Sequence, residues 1–298
     1  MSTPHVSVVI PTYGRGESLR HTLTALAKQD TRGFEVIVVD DGSPDPVTAD
    51  TAPNRDVFEL RIIRQENAGP AAARNRGARE AGGEILAFAD DDCLPQPTWL
   101  STLVQELSSH PDALVGSLTF NGLPHNNWSA TSQLIIDLVY DHFNRDPANA
   151  YFLASNNLSC RRELFLALGG FDTTFPRAGA EDRDFCDRWR MTKHPIRLIR
   201  QPLVEHRHAQ TFATFLNLHY RYGRGAYLYQ VKRKERASGT MAEDMGFHRS
   251  LIVSVPRHLR GRRLASRYVS LAGLFLWQAA NAFGFLTGLC HQRKVPTR

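Results

Sequence analysis

Cysteine is scarce in this 298-residue sequence, and the four present, Cys93, Cys160, Cys186 and Cys290, stand far apart with no paired spacing. That argues against a zinc site or a disulfide framework and suits a reducing compartment. The N-terminus lacks a basic segment followed by an apolar run of signal-peptide length. Its first apolar stretch, Val6 to Ile10, is only strand-sized, so a cytoplasmic protein is expected. Internal repeats and low-complexity tracts are absent as well. With 42% apolar and 22% charged residues the chain reads as globular, and it is long enough for one large domain or for a main domain with an appendage.

Positive charge is present but uneven. The net charge is +6, and Lys232, Arg233, Lys234, Arg236, Arg257, Arg260, Arg262, Arg263 and Arg267 crowd the last quarter. Such a run suits nucleic acid, an anionic membrane or simply a solvated face. The neighbouring segment favours membrane over nucleic acid, because Tyr268 to Cys290 has no charged residue and reaches spanning length. Gln278 and Asn281 share one helical face, and Gly273, Gly284 and Gly288 dilute the apolarity. An amphipathic or hairpin segment lying in the interface at the inner face of the cell membrane is therefore expected. A core helix packed on the rest of the chain is the alternative.

Apolar runs alternate with helical patterns. Val6 to Ile10, Phe34 to Val39, Leu60 to Ile63 and Glu84 to Ala89 read as strands, separated by the helical pattern of Leu19, Leu23 and Leu26 and by an alanine-rich helix over Ala71 to Ala81. Strands apolar on both faces belong in a covered, mostly parallel sheet. The fold class is thus α/β with a helical C-terminal extension, and ligands are expected beyond the carboxyl ends of the strands. Further on, helices are expected over 98–108, 133–143, 162–168 and 181–190, with strands over 113–120 and 196–199. A change to aromatic and basic composition puts a boundary near residue 210. It separates a catalytic unit over 1–210, with nucleotide-sugar binding in residues 1–115 and the acceptor side in residues 116–210, from a helical region over 211–298. Ala237 to Phe247 is expected to be a mobile loop.

Two acidic clusters end strands, Asp40-Asp41 and Asp90-Asp91-Asp92. Like charges at such range raise one another's pKa unless a cation neutralises them. Hard carboxylate oxygens suit Mg²⁺ or Mn²⁺, and magnesium commonly joins one or two carboxylates to a substrate's phosphates, which makes a diphosphate compound the expected ligand. Asp90 and Asp92 are expected to share one edge of an extended chain.

The strings VSVVIPTYG (6–14), VIVVDDGS (36–43), NAGPAAARNRG (67–77), FADDD (88–92), GGFD (169–172) and EDRDFCDR (181–188) resemble, in this order, family 2 glycosyltransferases with a GT-A fold. The resemblance covers residues 5 to about 225. It implies a metal-dependent enzyme that transfers sugar from a nucleoside-diphosphate sugar, a UDP-sugar by default, to a glycan or lipid-linked acceptor. It also implies site roles. Pro11, Thr12, Tyr13, Asp40 and Asp41 belong to the nucleoside site, Arg74 and Asp91 stand near the donor, and Asp90 and Asp92 are the ends of the DxD motif. Asp182 matches the inverting base, with Glu181 tuning it, and His206 completes the metal site, with His208 a weaker candidate. Asn156, Asn157 and Gly170 to Asp172 would shape the acceptor side.

One departure is informative. Processive synthases of the family carry Gln-x-x-Arg-Trp well beyond the base, whereas Arg188-Trp189 follows Asp182 closely and Phe185 replaces the glutamine, so transfer of a single sugar is expected. A sugar-phosphate nucleotidyltransferase would need a glycine-rich basic loop after the first strand, and Pro11-Thr-Tyr-Gly-Arg-Gly16 has too few glycines and one cation. A silent sugar-nucleotide-binding module would have lost the base or metal ligands, and Asp90, Asp92 and Asp182 are all present.

Overall fold

The computed structural model describes residues 5–51, 57–175, 179–261 and 264–292, so Arg262 and Arg263 of the basic cluster lie outside the described residues. Strands β1 (Val6–Thr12), β2 (Glu35–Asp40), β3 (Glu59–Arg64), β4 (Ile85–Ala89), β5 (Cys93–Pro95), β6 (Leu114–Asn121), β7 (Asn157–Arg161) and β8 (Ile196–His206) form one sheet in the order β3-β2-β1-β4-β7-β6-β8-β5. The β3-β2-β1-β4 half is parallel, while β7 runs antiparallel to both β4 and β6, and β5 antiparallel to β8. The parallel half matches the mostly parallel sheet expected from the alternation, and β5 and β7 were not legible as strands.

Residue alternation along the strands explains the layering. Val8, Ile10, Val36, Val38, Ala87 and Ala89 face one core, together with Leu19 and Leu23 of helix α1 (Gly16–Leu26) and Trp99 and Leu103 of α3 (Trp99–Ser109). The intervening Val9, Ile37, Val39, Leu86 and Phe88 face the opposite core, with Ala73 and Ala78 of α2 (Pro70–Glu80), Phe165 of α5 (Arg162–Ala167) and Phe185 and Trp189 of α6 (Glu181–Met191). Each buried branched side chain contributes about 1.5–3 kcal/mol, so a one-residue slip of β1 or β2 would carry apolar and polar side chains to the wrong faces.

Helix ends are set by local chemistry. Gly69, at φ 88°, and Pro70 open α2. The Asn126 side chain accepts from Trp128 N and Ser129 N and so starts α4 (Asn127–Phe143) ahead of the apolar pattern that begins at Leu134. Thr211 and Thr214 form a reciprocal cap on α7 (Phe212–Arg236). The segment expected as a mobile loop is instead ordered. Ala237 closes α7 in the left-handed region, Ser238 Oγ donates to Asp187 at 2.6 Å, and α8 (Met241–Leu259) begins three residues later.

Helix α9 (Leu264–Gln292) is continuous, so no hairpin forms within it. Of the glycines that dilute its apolarity, Gly284 and Gly288 pack on α7 and Gly273 packs on Thr131 of α4. A Cβ on Gly284 would lie 2.0 Å from the Tyr220 carbonyl oxygen, and one on Gly223 2.0 Å from that of Asn281. Leu134 and Leu138 of α4, Phe215 of α7, Phe247 of α8 and Leu274 and Trp277 of α9 make a further small core. Helix α9 is also long and apolar enough to cross a membrane, and only a minority of it is buried.

Candidate active site

Strands β1, β2 and β4 end on the same side of the sheet, and Thr12, Asp41 and Asp90 at those ends open onto a cavity of about 1050 Å³. Arg74, Asp92, Asp182 and His206 line the same cavity, as do Pro11 and the half-exposed Tyr13.

The two aspartates after β2 differ. Asp40 is fully buried and is not among the lining residues. Its carboxylate accepts from the amides of Ser43 (2.9 Å) and Val47 (3.2 Å) and pairs with Arg64 (2.7 Å). Burial alone would raise its pKa, but those donors hold it below the usual range. It thus fixes the loop behind the site. Asp41 lines the cavity, and it accepts from Gln65 Nε2 (2.8 Å) and from the amides of Ala68 (2.9 Å) and Gly69 (2.8 Å), which sets the entry into α2.

The aspartate triplet is not extended, contrary to expectation. The Cys93 amide donates to the Asp90 carbonyl at 3.1 Å, closing a turn. The turn sends Asp90 to Arg74 and leaves Asp91 and Asp92 to share Arg15, which relieves their repulsion. Asp90 pairs with Arg74 at 2.5 Å. Asp91, fully buried and also off the cavity surface, accepts from Thr12 Oγ1 at 2.7 Å and meets Arg15 Nη2 at 2.7 Å. Asp92 is ringed by Arg15 Nη1 (2.8 Å), His208 Nδ1 (3.0 Å) and His206 Nε2 (3.3 Å). Burial pushes Asp91 up to about 7 despite Arg15. For Asp92 burial acts the same way, but hydrogen bonds to His206 and His208, with the charges of His206 and Arg15, hold it well below the ordinary value. His206 is raised in turn, because Asp92 outweighs the cost of burying a cation.

Asp92, Cys93 and His206 bring three potential ligand atoms within 4.8 Å of one another. Burial, followed by the charge of Asp92, pushes the Cys93 thiol well above its usual range, so it contributes a neutral sulfur. The ionised Asp92 oxygens and the His206 imidazole are the donors that suit a hard or borderline divalent cation. Asp90 faces Arg74, on the other side of the turn.

Helix α6 carries the remaining acids. Its N-cap, Ala180, is in the left-handed region at φ 73°, strained for a residue with a side chain. Two contacts hold it. Glu181 Oε2 accepts from the Gly179 amide at 2.7 Å, and Gly225 of α7 packs so closely that a Cβ there would lie 2.0 Å from the Gly179 oxygen. Glu181 Oε1 is 3.6 Å from Arg74 Nη1. Asp182 lines the cavity, with one oxygen accepting from the Arg183 amide at 2.8 Å. Burial, and then the Glu181 charge, push Asp182 up to about 7. Arg74 is buried, and its Nε and Nη1 have no hydrogen-bond partner.

Of the acceptor-side candidates, Asn156 lines the cavity. Asn157 holds Trp99 Nε1 (2.9 Å) and the Ser117 carbonyl (2.8 Å), and Asp172 pairs with Lys232 at 2.7 Å. Sequence reasoning missed Arg15 as the counter-ion of the triplet, although its place in the loop after β1 was a usable signal. It also missed His219, buried on the cavity wall with both ring nitrogens unpartnered. Nothing in the pattern of α7 marks that residue.

The model for glycosyl transferase family 2 matches residues 7–169. The pre-mycofactocin glycosyltransferase of Mycobacterium tuberculosis is 29% identical over 285 residues, which is 87% of this chain and 57% of that protein; the chain thus spans little more than half the length of that relative. The glucosyl-dolichyl phosphate glucuronosyltransferase of Haloferax volcanii is 26% identical over 222 residues, covering 68% of this chain and 69% of that one. Among solved structures, the mannosyltransferase PcManGT from Pyrobaculum calidifontis, in complex with GDP-Man and Mn²⁺, superposes with a TM-score of 0.66 at 20% identity, over 97% of this chain and 88% of that one. Its likeness bears out the GT-A architecture.

Proposed function

Because the chain belongs to glycosyl transferase family 2, we propose that it transfers a single sugar from a nucleoside-diphosphate sugar to a hydroxyl acceptor, inverting the anomeric carbon, with Asp182 as the base. The observation that carries this is the position of Asp182 on the wall of the cavity shared by Asp41, Arg74, Asp92 and His206, with its pKa pushed up to about 7. A base poised near neutrality combines adequate basicity with a large ionised fraction. Asp182 takes the proton from the acceptor hydroxyl as that oxygen attacks, and Glu181 positions the helix start and raises the basicity of its neighbour.

Pro11, Thr12, Tyr13 and Asp41 form the nucleoside side of the cavity. Arg74, held between Asp90 and Glu181, keeps Nε and Nη1 without a hydrogen-bond partner, and these buried donors are there to meet a diphosphate oxygen, since an unsatisfied buried N–H is costly. Asp92 and His206, with Asp90 across the turn, would hold Mg²⁺ or Mn²⁺. The ring of nitrogen donors about Asp92 supports this by showing how strongly that carboxylate draws positive charge. When bound, the ion neutralises charge gathering on the departing nucleoside diphosphate. The Pyrobaculum mannosyltransferase of the same fold holds GDP-Man and Mn²⁺, which supports a divalent ion beside a nucleotide sugar here.

The acceptor is a surface glycan or lipid-linked precursor, met at the inner face of the cell membrane, where the exposed apolar residues of α8 and α9 and the nearby Arg257 and Arg260 contact lipid. A thermal-shift panel of UDP, GDP, dTDP and CDP, each with and without Mn²⁺, tests the donor site. One nucleotide at a hundred times its Kd should stabilise the protein by about 2.7 kcal/mol, and only with the metal. No shift from any nucleotide would count against the proposal.

A further inference from the structure

The cavity that holds the donor residues does not end at Asp182. Ile135, Val139 and Phe143 of α4 and Trp277, Phe285 and Leu286 of α9 line it as well. That stretch is walled mainly by hydrocarbon and rings, with Gln230, Asp244, His248, Gln278 and Asn281 the polar side chains that also line the cavity. A second observation locates its mouth. Met241, Met245 and Leu286 line the cavity and are also 52%, 45% and 57% exposed, so the apolar channel opens to the outside past these three side chains.

The mouth is continuous with an apolar stripe. Leu264, Tyr268, Leu271, Phe275, Ala282 and Leu286 recur at three- and four-residue steps or their sum, so they share one face of α9. All six are exposed, Phe275 by 73%. Water-facing stripes of this size are uncommon on soluble proteins unless they meet a partner. The stripe leads into the cavity at Ala282 and Leu286 and lies next to the exposed Arg257 and Arg260, which suits an anionic bilayer. Where the channel passes from polar to apolar, the Arg183 guanidinium sits over the rings of Phe143 (5.5 Å) and Tyr229 (5.2 Å), with no carboxylate paired to it among the described residues. It is a spare cation one residue from Asp182.

We infer that the acceptor is an anionic lipid: its hydroxyl-bearing head lies at Asp182, its phosphate against Arg183, and its hydrocarbon chain in the channel leaving past Met241, Met245 and Leu286. The inference rests on the glycosyl-transfer reading only for the role of Asp182. The binding site stands on the cavity itself.

Trp277, in the channel wall, supplies the readout. The full-length protein would be titrated with 12-bromododecyl phosphate and with 12-bromododecyl maltoside, both below their micelle concentrations, and bromine quenching of tryptophan fluorescence recorded. Both probes should quench, the phosphate at about tenfold lower concentration, the difference expected of one charge-assisted contact. Trp277→Phe should remove the quenching. Leu286→Glu, at an exposed position that tolerates the change, should weaken both probes at least tenfold, and Arg183→Gln should erase the preference for phosphate. The nucleotide thermal shift is measured on the same samples: quenching without a nucleotide shift would sink the donor reading and leave the lipid site standing. Absence of quenching beside a normal nucleotide shift, quenching that survives Trp277→Phe, or indifference to Leu286→Glu would overturn the lipid channel. Equal affinity of the two probes for the unaltered protein would overturn the phosphate contact.

Discussion

Replacing Glu181 by Gln should move the acid limb of the pH–rate profile downward. Glutamine keeps a carbonyl oxygen for the Gly179 amide, so the 2.7 Å contact that holds the start of α6 survives and only the charge is lost. Asp182 stands at about 7 through burial first and the Glu181 charge second. Arg74, released from its 3.6 Å partner, then acts more fully on Asp182, in the same direction. Removing a nearby unit charge in a partly buried site is worth roughly one pKa unit, about 1.4 kcal/mol. A base must be ionised to accept a proton, so turnover is retained above its pKa and falls tenfold per unit below it. At pH 6 a base of pKa about 7 is roughly 9% ionised and one of pKa about 6 roughly 50%, so the variant should turn over about fivefold faster there. At pH 8.5 it should be equal or slightly slower, because a weaker base accepts the proton less readily. Release of nucleoside diphosphate from the sugar nucleotide, with water as acceptor, gives the profile from pH 5 to 9. A limb that stays near 7 would refute the assignment of Asp182 as base or of Glu181 as its tuning charge.

Other residues give independent tests. Asp92→Ala leaves Arg15, His206 and His208 around a missing anion and should weaken Mn²⁺-dependent nucleoside diphosphate binding at least tenfold, as read by titration calorimetry; unchanged affinity would remove Asp92 from the metal site. Gly225→Ala forces a methyl against the Gly179 oxygen and should cost about 1–3 kcal/mol in chemical denaturation. It should also lower turnover roughly a hundredfold by displacing Asp182, and wild-type turnover would show that the contact does not position the base. The double variant Tyr268→Asp, Phe275→Asp should lose co-sedimentation with vesicles containing phosphatidylglycerol, and undiminished sedimentation would place the membrane contact elsewhere.

The parallel half of the sheet was legible because Val6 to Ile10 and Phe34 to Val39 are apolar at nearly every position, a pattern that only doubly covered strands require. Strand β7 was not. Asn157, Ser159 and Arg161 interrupt its apolarity, and it exists because β4 and β6 flank it on either side. The first turns of α4 carry no apolar rhythm, and Asn126 defines the start by capping. Within the site, the two aspartate clusters could be named from their place after strands, and Glu181 and Asp182 through the family resemblance, but their directions could not. The turn from Asp90 to Cys93, the sequestration of Asp40 and Asp91, and the role of Arg15 all depend on charges brought together from segments about 16 to 116 residues apart. His219 and Gly225 acquire their roles only because α7 packs back over the cavity.

Turnover of the Asp182→Asn protein is the most direct measurement. The wild-type and variant chains would each be incubated with the sugar nucleotide selected by the thermal-shift panel and Mg²⁺, and release of the nucleoside diphosphate followed by NMR. The side chain lines the donor cavity without being one of the proposed metal ligands, so the variant should keep the nucleotide-induced thermal shift while turnover falls by a factor of about 10² to 10⁴. Near-normal turnover by a variant that still binds the nucleotide would contradict the role of Asp182 and, with it, the mechanism proposed for this site.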